Sequence, residues 1–295
     1  MAARADAGPA PAVPRWQRMP RVRVVPLISI GFLALLVFVA AAAEFITPYD
    51  PVRNDLANAL IPPAWVDGGS TDHMLGTDGF GRDVWTRLIY GARASLAVAS
   101  FSLVLALVIG TVSGIVAGYV GGAVDSLLMR LVDVMLALPT ILVALVVAIA
   151  LGPSFLNLVL VVGFLTWPRI ARLIRGETLL LRKLDFVRYS IAIAVPTRAI
   201  LVRHIFPNIL PTLLVATTLE IGKVILLEAS LSFLGAGLPP PSASWGVMID
   251  DGRALIATGW WIALFPGLAI VATVLAFNAV GDWLRDYLDP KTRSV

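Results

Sequence analysis

The sequence contains no cysteine, only two histidines and few charged residues. Without cysteine the chain has no disulfide, no thiol chemistry and no cysteine-ligated zinc or iron–sulfur site. His73 and His204 lie far apart and lack partners at metal-binding spacing, so the sequence predicts no metal site. Charged residues make up 14% of the chain, against about 25% in soluble domains, whereas hydrophobic residues reach 58%. This composition indicates an integral membrane protein.

Six apolar segments are long enough to cross a bilayer, which needs about 20 apolar residues per helix. They cover residues 24–43, 95–119, 127–151, 155–174, 209–227 and 260–280. The predicted fold class is therefore an all-α integral membrane protein with six transmembrane helices. Its membrane domain spans 24–284, between tails at 1–23 and 285–295. A rival interpretation makes the first segment a cleaved signal peptide, because Ala41-Ala42-Ala43 resembles a cleavage site. The length of the segment favours an uncleaved span.

The distribution of Lys and Arg predicts the orientation of the chain. The N-terminal tail holds five, the segment 169–208 eight and the C-terminal tail three, whereas the segments 47–93 and 231–258 hold four and one. Basic residues concentrate on the cytoplasmic side of membrane proteins. We therefore expect a multi-pass protein of the cell membrane with both termini and 169–208 in the cytoplasm, and with 47–93 and 231–258 outside. The net charge of +4 belongs to these flanks and does not indicate nucleic-acid binding.

Polar and small residues inside the predicted spans suggest specific contacts. Glu220 and Lys223 lie three residues apart in the fifth span, where charges are costly unless they pair or face a cavity. They form either a neutralising pair or part of a pathway lining. Arg130 and Asp133, also three apart, are expected to pair at the membrane boundary. Glycines four residues apart on the second span form a small-residue ridge, which we expect to pack against another span of this chain: Gly110, Gly114 and Gly118.

The long basic segment 169–208 carries an amphipathic pattern. Leu184, Val187, Ile191 and Val195 recur at spacings of three and four, which places them on one face of a short helix. Pro196 is expected to break this helix and to precede a second one that runs to Phe206. A helix pair between two spans suits docking onto a cytosolic partner. The alternative is a basic helix lying on anionic lipid.

Three further motifs resemble one known family over most of the chain, from about residue 26 to 291. The family is the C-type permease subunit of the dipeptide, oligopeptide and nickel ABC importers. The motifs are His73–Asp83 (HMLGTDGFGRD) leading into Arg87–Arg93 (RLIYGAR); Leu231–Gly235 (LSFLG) with Ser244-Trp245-Gly246; and Asn278–Asp282 (NAVGD) followed by LRD at 284–286 and LDP at 288–290.

The resemblance implies a non-catalytic transport subunit with the type I importer permease fold and a cytoplasmic coupling-helix pair. It implies four partner chains or domains besides lipid: a similar but distinct permease, two cytosolic ATPase domains and an extracytoplasmic binding protein. The chain has no Gly-x-x-x-x-Gly-Lys-Ser/Thr loop, so ATP and Mg are expected on the ATPases and no cofactor on this chain. The substrate stays open among dipeptides, longer peptides, glutathione and nickel chelates.

The resemblance also assigns candidate site residues. Those expected to contact the ATPase are Leu184, Asp185, Val187, Arg188, Tyr189, Ile191, Val195 and Arg198. Those expected to face the binding protein are Asp78, Arg82, Trp245 and Asp250. Family members carry Glu-Ala-Ala and a later glycine on the coupling helix, at the positions that are Arg188, Tyr189, Ser190 and Ala194 here. Because an acid has become a base, we expect the partner surface to differ.

Two other classes of function fit a polytopic chain. An ion-coupled secondary transporter would need no ATPase and could use glycine-broken spans with Glu220 and Lys223. A membrane-embedded enzyme would need a nucleophile, a carboxylate pair or a metal set inside the spans, and no such set is close in sequence. The amphipathic helix pair favours the importer over the secondary transporter.

Overall fold

A computed structural model describes residues 24–288, and its secondary structure is helical. No strand is present within these residues, apart from an isolated antiparallel bridge between Thr77 and Asp83. The helices, in chain order, are α1 Val24–Ala41, α2 Ala43–Ile46, α3 Val84–Val120, α4 Gly122–Ala137, α5 Thr140–Leu151, α6 Phe155–Leu181, α7 Asp185–Ala192, α8 Thr197–Ile200, α9 Phe206–Phe233, α10 Trp245–Arg253 and α11 Trp261–Leu288. The interpretations of residues 1–23 and 289–295 lie outside the described part.

The number of spans agrees with the sequence prediction. Among the described residues, five helices are long and apolar enough to cross a membrane, and α4 with α5 makes a sixth, bent span. The bend is 92° and lies at Leu138-Pro139. Proline excludes the residue before it from the helical region, and Leu138 is accordingly extended, with φ −82° and ψ 141°. The six-span all-α fold is confirmed.

Several helices extend beyond the apolar segments that predicted them. α3 begins at Val84 rather than near Ser95. Its start is capped by the Asp83 side chain, which accepts a hydrogen bond from the Thr86 amide at 2.7 Å. α6 continues to Leu181, well past the expected end at 174. α11 runs to Leu288, so the tail assigned from 285 starts inside a helix. Apolar content marks the part of a helix in the hydrocarbon, whereas the helix itself continues into the polar interface.

The second predicted coupling helix is also longer than expected. It starts at Thr197, passes through a π turn at Leu201–Ile205 and continues without a break into α9. Pro207 lies just after the π turn, a local irregularity of the kind that lets a continuous helix accommodate the missing N–H of proline. The sequence predicted that this second helix ends at Phe206, and that expectation is wrong.

The glycine ridge on α3 packs against α6 within the chain, as predicted. A Cβ atom added to Gly114 would lie 2.7 Å from the Ala171 carbonyl oxygen and 2.8 Å from Ile174 Cβ. A Cβ atom added to Gly110 or to Gly118 would likewise lie 2.7 Å from a side-chain atom of α6. The two helices therefore approach closely enough for side chains of α6 to touch the backbone of α3.

Gly114→Val is expected to separate α3 from α6 and to lower the free energy of unfolding by at least about 1–3 kcal/mol. The new side chain meets backbone and a β-branched residue, neither of which can move aside. Thermal unfolding of the purified protein in detergent measures the effect. Gly176→Ala on α6 is the control, because nothing lies within 4 Å of the added atom. Equal midpoints for both variants would contradict the close approach.

Two apolar clusters hold the bundle together. One joins α3, α9, α10 and α11 around Trp245 and Trp261. The other joins α3 and α6 to the segment 187–209, through Ile174, Val187 and Ile205. The first cluster supports the segment 47–83 at one end of the bundle, and the second fixes α7 to the opposite half of the core.

Candidate functional site

The linking segment, which we define as residues 182–205 between α6 and α9, presents α7 on the surface. Val187 is fully buried in the second core cluster, and Ser190 lies beside it with its hydroxyl bonded to the Phe186 carbonyl at 2.8 Å. Tyr189, on the opposite side, is 72% exposed. α7 is therefore anchored by one short inner face and leaves its outer face free for a partner.

The inner face differs from the apolar face predicted for this helix. Leu184 and Ile191 are exposed, whereas Val187 is buried and Val195 is half-buried. The helix is rotated so that Val187 and Ser190 point inward, and Ile191 lies at the edge. Two turns of helix give only a coarse direction for the apolar moment, so the core contact decides the rotation. The remaining candidates in this segment are exposed: Asp185, Arg188, Tyr189 and Arg198.

A basic groove lies where the end of α6 meets α7. It has a volume of about 650 Å³ and is lined by Leu179, Arg182, Lys183, Arg188, Ile191 and Ala192. Three cations thus surround an aliphatic floor, and no acid within residues 24–288 lines the groove. Such a surface is complementary to an acidic side chain next to an apolar one.

A compact ion cluster, the outer cluster, joins the segment 47–83 to α3 and α10. It consists of Asp78, Arg82, Arg87 and Asp251. Arg82 Nε donates to Asp78 Oδ2 at 2.7 Å, and its Nη2 reaches Asp251 Oδ2 at 3.1 Å. Arg87 Nη1 donates to both carboxylates, at 3.0 Å in the case of Asp251. Two acids balance two bases in a site where Asp78 and Arg87 are each 1% exposed.

Three of the four residues expected to face a binding protein are buried inside this chain. Asp78 and Arg82 belong to the outer cluster, and Trp245 donates its indole N–H to the Leu88 carbonyl at 3.0 Å from a buried position. Only Asp250 is partly accessible, and it pairs with Arg253 at 3.0 Å. The side chains of these three residues are held by neighbouring parts of the chain. They therefore support the surface at this end of the bundle from beneath and are not part of it.

The charged pair predicted in the fifth span is present and has a third member. Lys223 Nζ donates to Glu220 Oε1 at 2.6 Å, and Arg169 of α6 lies 3.8 Å from Glu220 Oε2. These residues line a cavity of about 420 Å³ between α5, α6 and α9, beside the bend at Pro139. The pair therefore faces a cavity instead of being sealed between helices.

The expected Arg130–Asp133 pair is not what the structure shows. Asp133 accepts from Arg172 Nη2 at 2.5 Å, and one turn or more away Asp125 binds the Arg175 guanidinium with bonds of 2.5 and 2.6 Å. All three bonds tie α4 to α6. An ion pair between residues three apart on one helix competes with pairs that tertiary packing brings together. In this structure the acids of α4 pair with arginines of α6.

Comparisons with known proteins place these features in one family. Residues 110–294 match the model of the binding-protein-dependent transport system inner membrane component. The dipeptide transport system permease protein DppC of Escherichia coli (strain K12) is 46% identical over 267 residues, 90% of this chain and 89% of that protein. The chain belongs to this family.

Further relatives carry different substrate names. The di/tripeptide permease protein DppC of Pseudomonas aeruginosa (strain UCBPP-PA14) is 38% identical over 89% of this chain and 87% of its own length. The glutathione permease protein GsiD of Salmonella paratyphi A (strain ATCC 9150 / SARB42) is 42% identical over 94% and 90%. The resemblance noted from the motifs is thus confirmed. The chain is a permease subunit of an ABC importer, a multi-pass membrane component of transport and not an enzyme.

The end of α7 in this permease has a geometry that favours glycine. Ala194 has φ +57°, one of two positive values among the non-glycine residues that the structure describes. The Ala194 amide donates to the Ile191 carbonyl and the Val195 amide to the Ser190 carbonyl, both at 3.0 Å. This is the hydrogen-bond pattern of a Schellman motif, which usually places glycine at this position. The helix ends as a glycine-bearing one would, although alanine stands there.

Ala194→Gly is expected to stabilise this permease by about 0.5–1 kcal/mol, because the left-handed conformation strains alanine and not glycine. Ala192→Gly, inside the same helix, is the matched control and should destabilise by about 1 kcal/mol. Thermal unfolding of the two purified variants measures both shifts. A lower midpoint for Ala194→Gly would show that the bend is not strained.

Three functional candidates were missed or undervalued by sequence reasoning. Arg87 and Asp251 complete the outer cluster, and Arg169 completes the charged cavity. Arg87 and Asp251 lie 164 positions apart, so no helical spacing links them. The available signal was indirect: Arg87 begins one of the family motifs, Asp251 follows another, and unpaired charges next to a span need partners.

Proposed function

We propose that this permease subunit imports peptides or related small solutes. It would form half of the translocation pathway with a second, distinct permease. Two cytosolic ATPase domains, which carry the ATP and Mg, would drive transport, and an extracytoplasmic binding protein would deliver the solute. The observation that carries the proposal is the 46% identity, over 90% of the chain, to a permease named for dipeptide transport.

The linking segment is the proposed contact with the ATPase domains. Its support is an outer face that is exposed on a firmly anchored helix: Val187 is buried, while Arg188, Tyr189 and Ile191 are accessible. A rigid contact can pass the closure of the ATPases to the spans. Leu184, Asp185 and Arg198 complete the proposed surface, and Val187 and Val195 act from beneath it.

The outer surface is the proposed contact with the binding protein. Asp250 pairs with Arg253 on α10 and stays partly accessible. The segment 47–83 adds the exposed apolar side chains Trp65 and Met74. Asp78, Arg82 and Trp245 would hold this surface in shape. The proposal keeps residues 24–284 as the membrane domain, with 47–93 and 231–258 outside and with 169–208 and both termini inside.

Single-cysteine labelling tests the orientation without interference, because the chain has no cysteine. An impermeant thiol reagent applied to intact cells should label Cys at Ser70 or Ser242 and spare Cys at Ser126 or at Tyr189. The last position is exposed in the structure, so protection there would reflect its side of the membrane. Labelling of position 189 from outside would overturn the orientation.

Purification of the tagged chain from its native membranes tests the transport proposal. We expect a second permease and ATPase chains with a phosphate-binding loop to accompany it. In proteoliposomes this assembly should accumulate a dipeptide only with ATP inside and the binding protein outside. Uptake driven by an ion gradient without ATP would instead support secondary transport.

A further inference from the structure

The charged cavity has an unbalanced set of charges. Of the ionisable residues that line it in the described chain, Arg169 and Lys223 are basic and Glu220 is acidic. Lys223 Nζ binds Glu220 Oε1 at 2.6 Å, while Arg169 stays 3.8 Å from the other carboxylate oxygen. One acid cannot neutralise two bases, so the cavity retains about one unit of positive charge. A compensating anion is the simplest partner for a positive cavity at membrane depth.

The acid of the cavity also has unused hydrogen-bonding capacity. Glu220 is 9% exposed, and its Oε2 atom is buried without a hydrogen-bond partner among the described residues. A buried acceptor left without a donor is costly, so it marks a position where a donor is expected to bind. The cavity is therefore complementary to a solute that carries an anionic group next to an N–H group.

A purely structural pair would look different. An i,i+3 pair that only neutralises charge on α9 would need one base and would bury both members against another helix. Here both bases are roughly half exposed and line the cavity, and the second base comes from α6. Ser230 lies seven residues after Lys223 on the same face of α9 and also lines the cavity, so the polar lining extends along the helix.

We infer that this cavity is a solute subsite for a carboxylate carried next to an N–H group, as in the C-terminal residue of a peptide. Lys223 and Arg169 bind the carboxylate, and Glu220 Oε2 accepts the N–H. The inference rests on the proposed function, because the cavity lies on the pathway only if the chain is half of an importer. It adds the residues and the part of the solute that each one recognises.

Thiol reactivity measures the charge of the cavity without any transport step. In the purified assembly, Cys placed at Ser230 should react about tenfold faster with an anionic methanethiosulfonate than with a cationic one, because two bases lie nearby. Lys223→Met should remove most of this preference, and Lys223→Arg should retain it. Cys at Asn54, exposed in the segment 47–83 between one base and one acid and outside the cavity, should show no preference between the reagents.

Protection by a defined solute then identifies the recognised group. Alanyl-alanine at millimolar concentration should slow the modification of Cys at Ser230 at least fivefold, and its C-terminal amide should not. Lys223→Met and Arg169→Gln should abolish this protection. The amide keeps the size and the amino group of the dipeptide, so the difference isolates the carboxylate.

The outcomes separate this subsite from the proposed function. Equal rates with the two reagents, or equal protection by the dipeptide and its amide, would overturn the subsite even if uptake is intact. Charge preference together with selective protection would support the subsite. Absence of ATP-dependent uptake would count against the proposed function alone, because the reactivity is measured in the absence of ATP.

Discussion

Asp78→Asn is expected to lower the free energy of unfolding by about 3–5 kcal/mol, because it breaks a buried ion cluster. The Asp78 carboxylate forms ion pairs with both Arg82 and Arg87, and both arginines are almost completely buried. Without it, Asp251 alone faces two guanidinium groups. The segment 47–83 should then detach from α10, because a base without a neutralising acid cannot remain buried between them.

Unfolding of the isolated permease in detergent, without any binding protein, measures this effect. Asp72→Asn is the matched control: it lies in the same segment, but its side chain is exposed. We expect the control to change the free energy of unfolding by less than about 0.5 kcal/mol. A variant of Asp78 with normal stability, but with impaired capture of the binding protein, would instead favour the direct contact that the sequence suggested.

The outer cluster also shows why sequence analysis misplaced the start of α3. The residues 84–93 look like part of a polar loop, because they include Arg87 and Arg93. In the structure Arg87 is neutralised by Asp78 and Asp251, so its charge is compatible with a buried helix. A hydropathy scale gives each residue a fixed free-energy cost of burial. The actual cost of burying a charge depends on the partners that the fold brings next to it.

Local patterns were sufficient where the determining contacts are local. The six spans followed from apolar length, the helix break from Pro196, and the Glu220–Lys223 bond from a spacing of three residues. Arg169, by contrast, is 51 residues before Glu220, and its approach depends on how α6 packs beside α9. The same limit applies to Asp133, whose partner comes from α6 and not from its own helix.

The rotation of α7 lies between these cases. Its helical period was recognised, but the choice between Ile191 and Ser190 for the inner face is a difference of 100° about the axis. Val187 fills a site in the core, and Ser190 can follow it because its hydroxyl is satisfied by the Phe186 carbonyl. Ile191 is consequently available to line the basic groove.

Arg188→Glu is expected to reduce both transport and stimulated ATPase activity at least tenfold, while leaving the protein folded in the membrane. Arg188 is exposed and lines the groove with Arg182 and Lys183, so its reversal breaks no ion pair or side-chain hydrogen bond in the part of the chain that the structure describes. In the proposed complex, an acid of the ATPase would occupy this groove, and the substitution would replace attraction by repulsion. A loss of about 1.4 kcal/mol at the contact is a tenfold effect, well within the range for a close charge pair.

The position of the charge distinguishes docking from lipid binding. Arg203→Glu is the control, because Arg203 is an exposed base of the same segment outside the groove. A helix resting on anionic lipid would lose about 1 kcal/mol from either substitution, since each removes one base near the surface. Docking instead predicts a large effect at position 188, a small one at 203, and recovery of activity when the opposing acid of the ATPase is changed to a base.

Ile191→Asp and Val187→Asp separate the partner contact from the anchor beneath it. Ile191 is exposed in the groove, so aspartate there should leave expression and thermal stability unchanged while transport is lost. Val187 is fully buried, and an unpaired carboxylate in its place should unfold the linking segment or prevent accumulation of the protein. If Ile191→Asp transports normally with normal ATPase stimulation, the groove is not the docking surface. The opposite behaviour of two residues four positions apart follows from the rotation of α7, because only one of them faces the core.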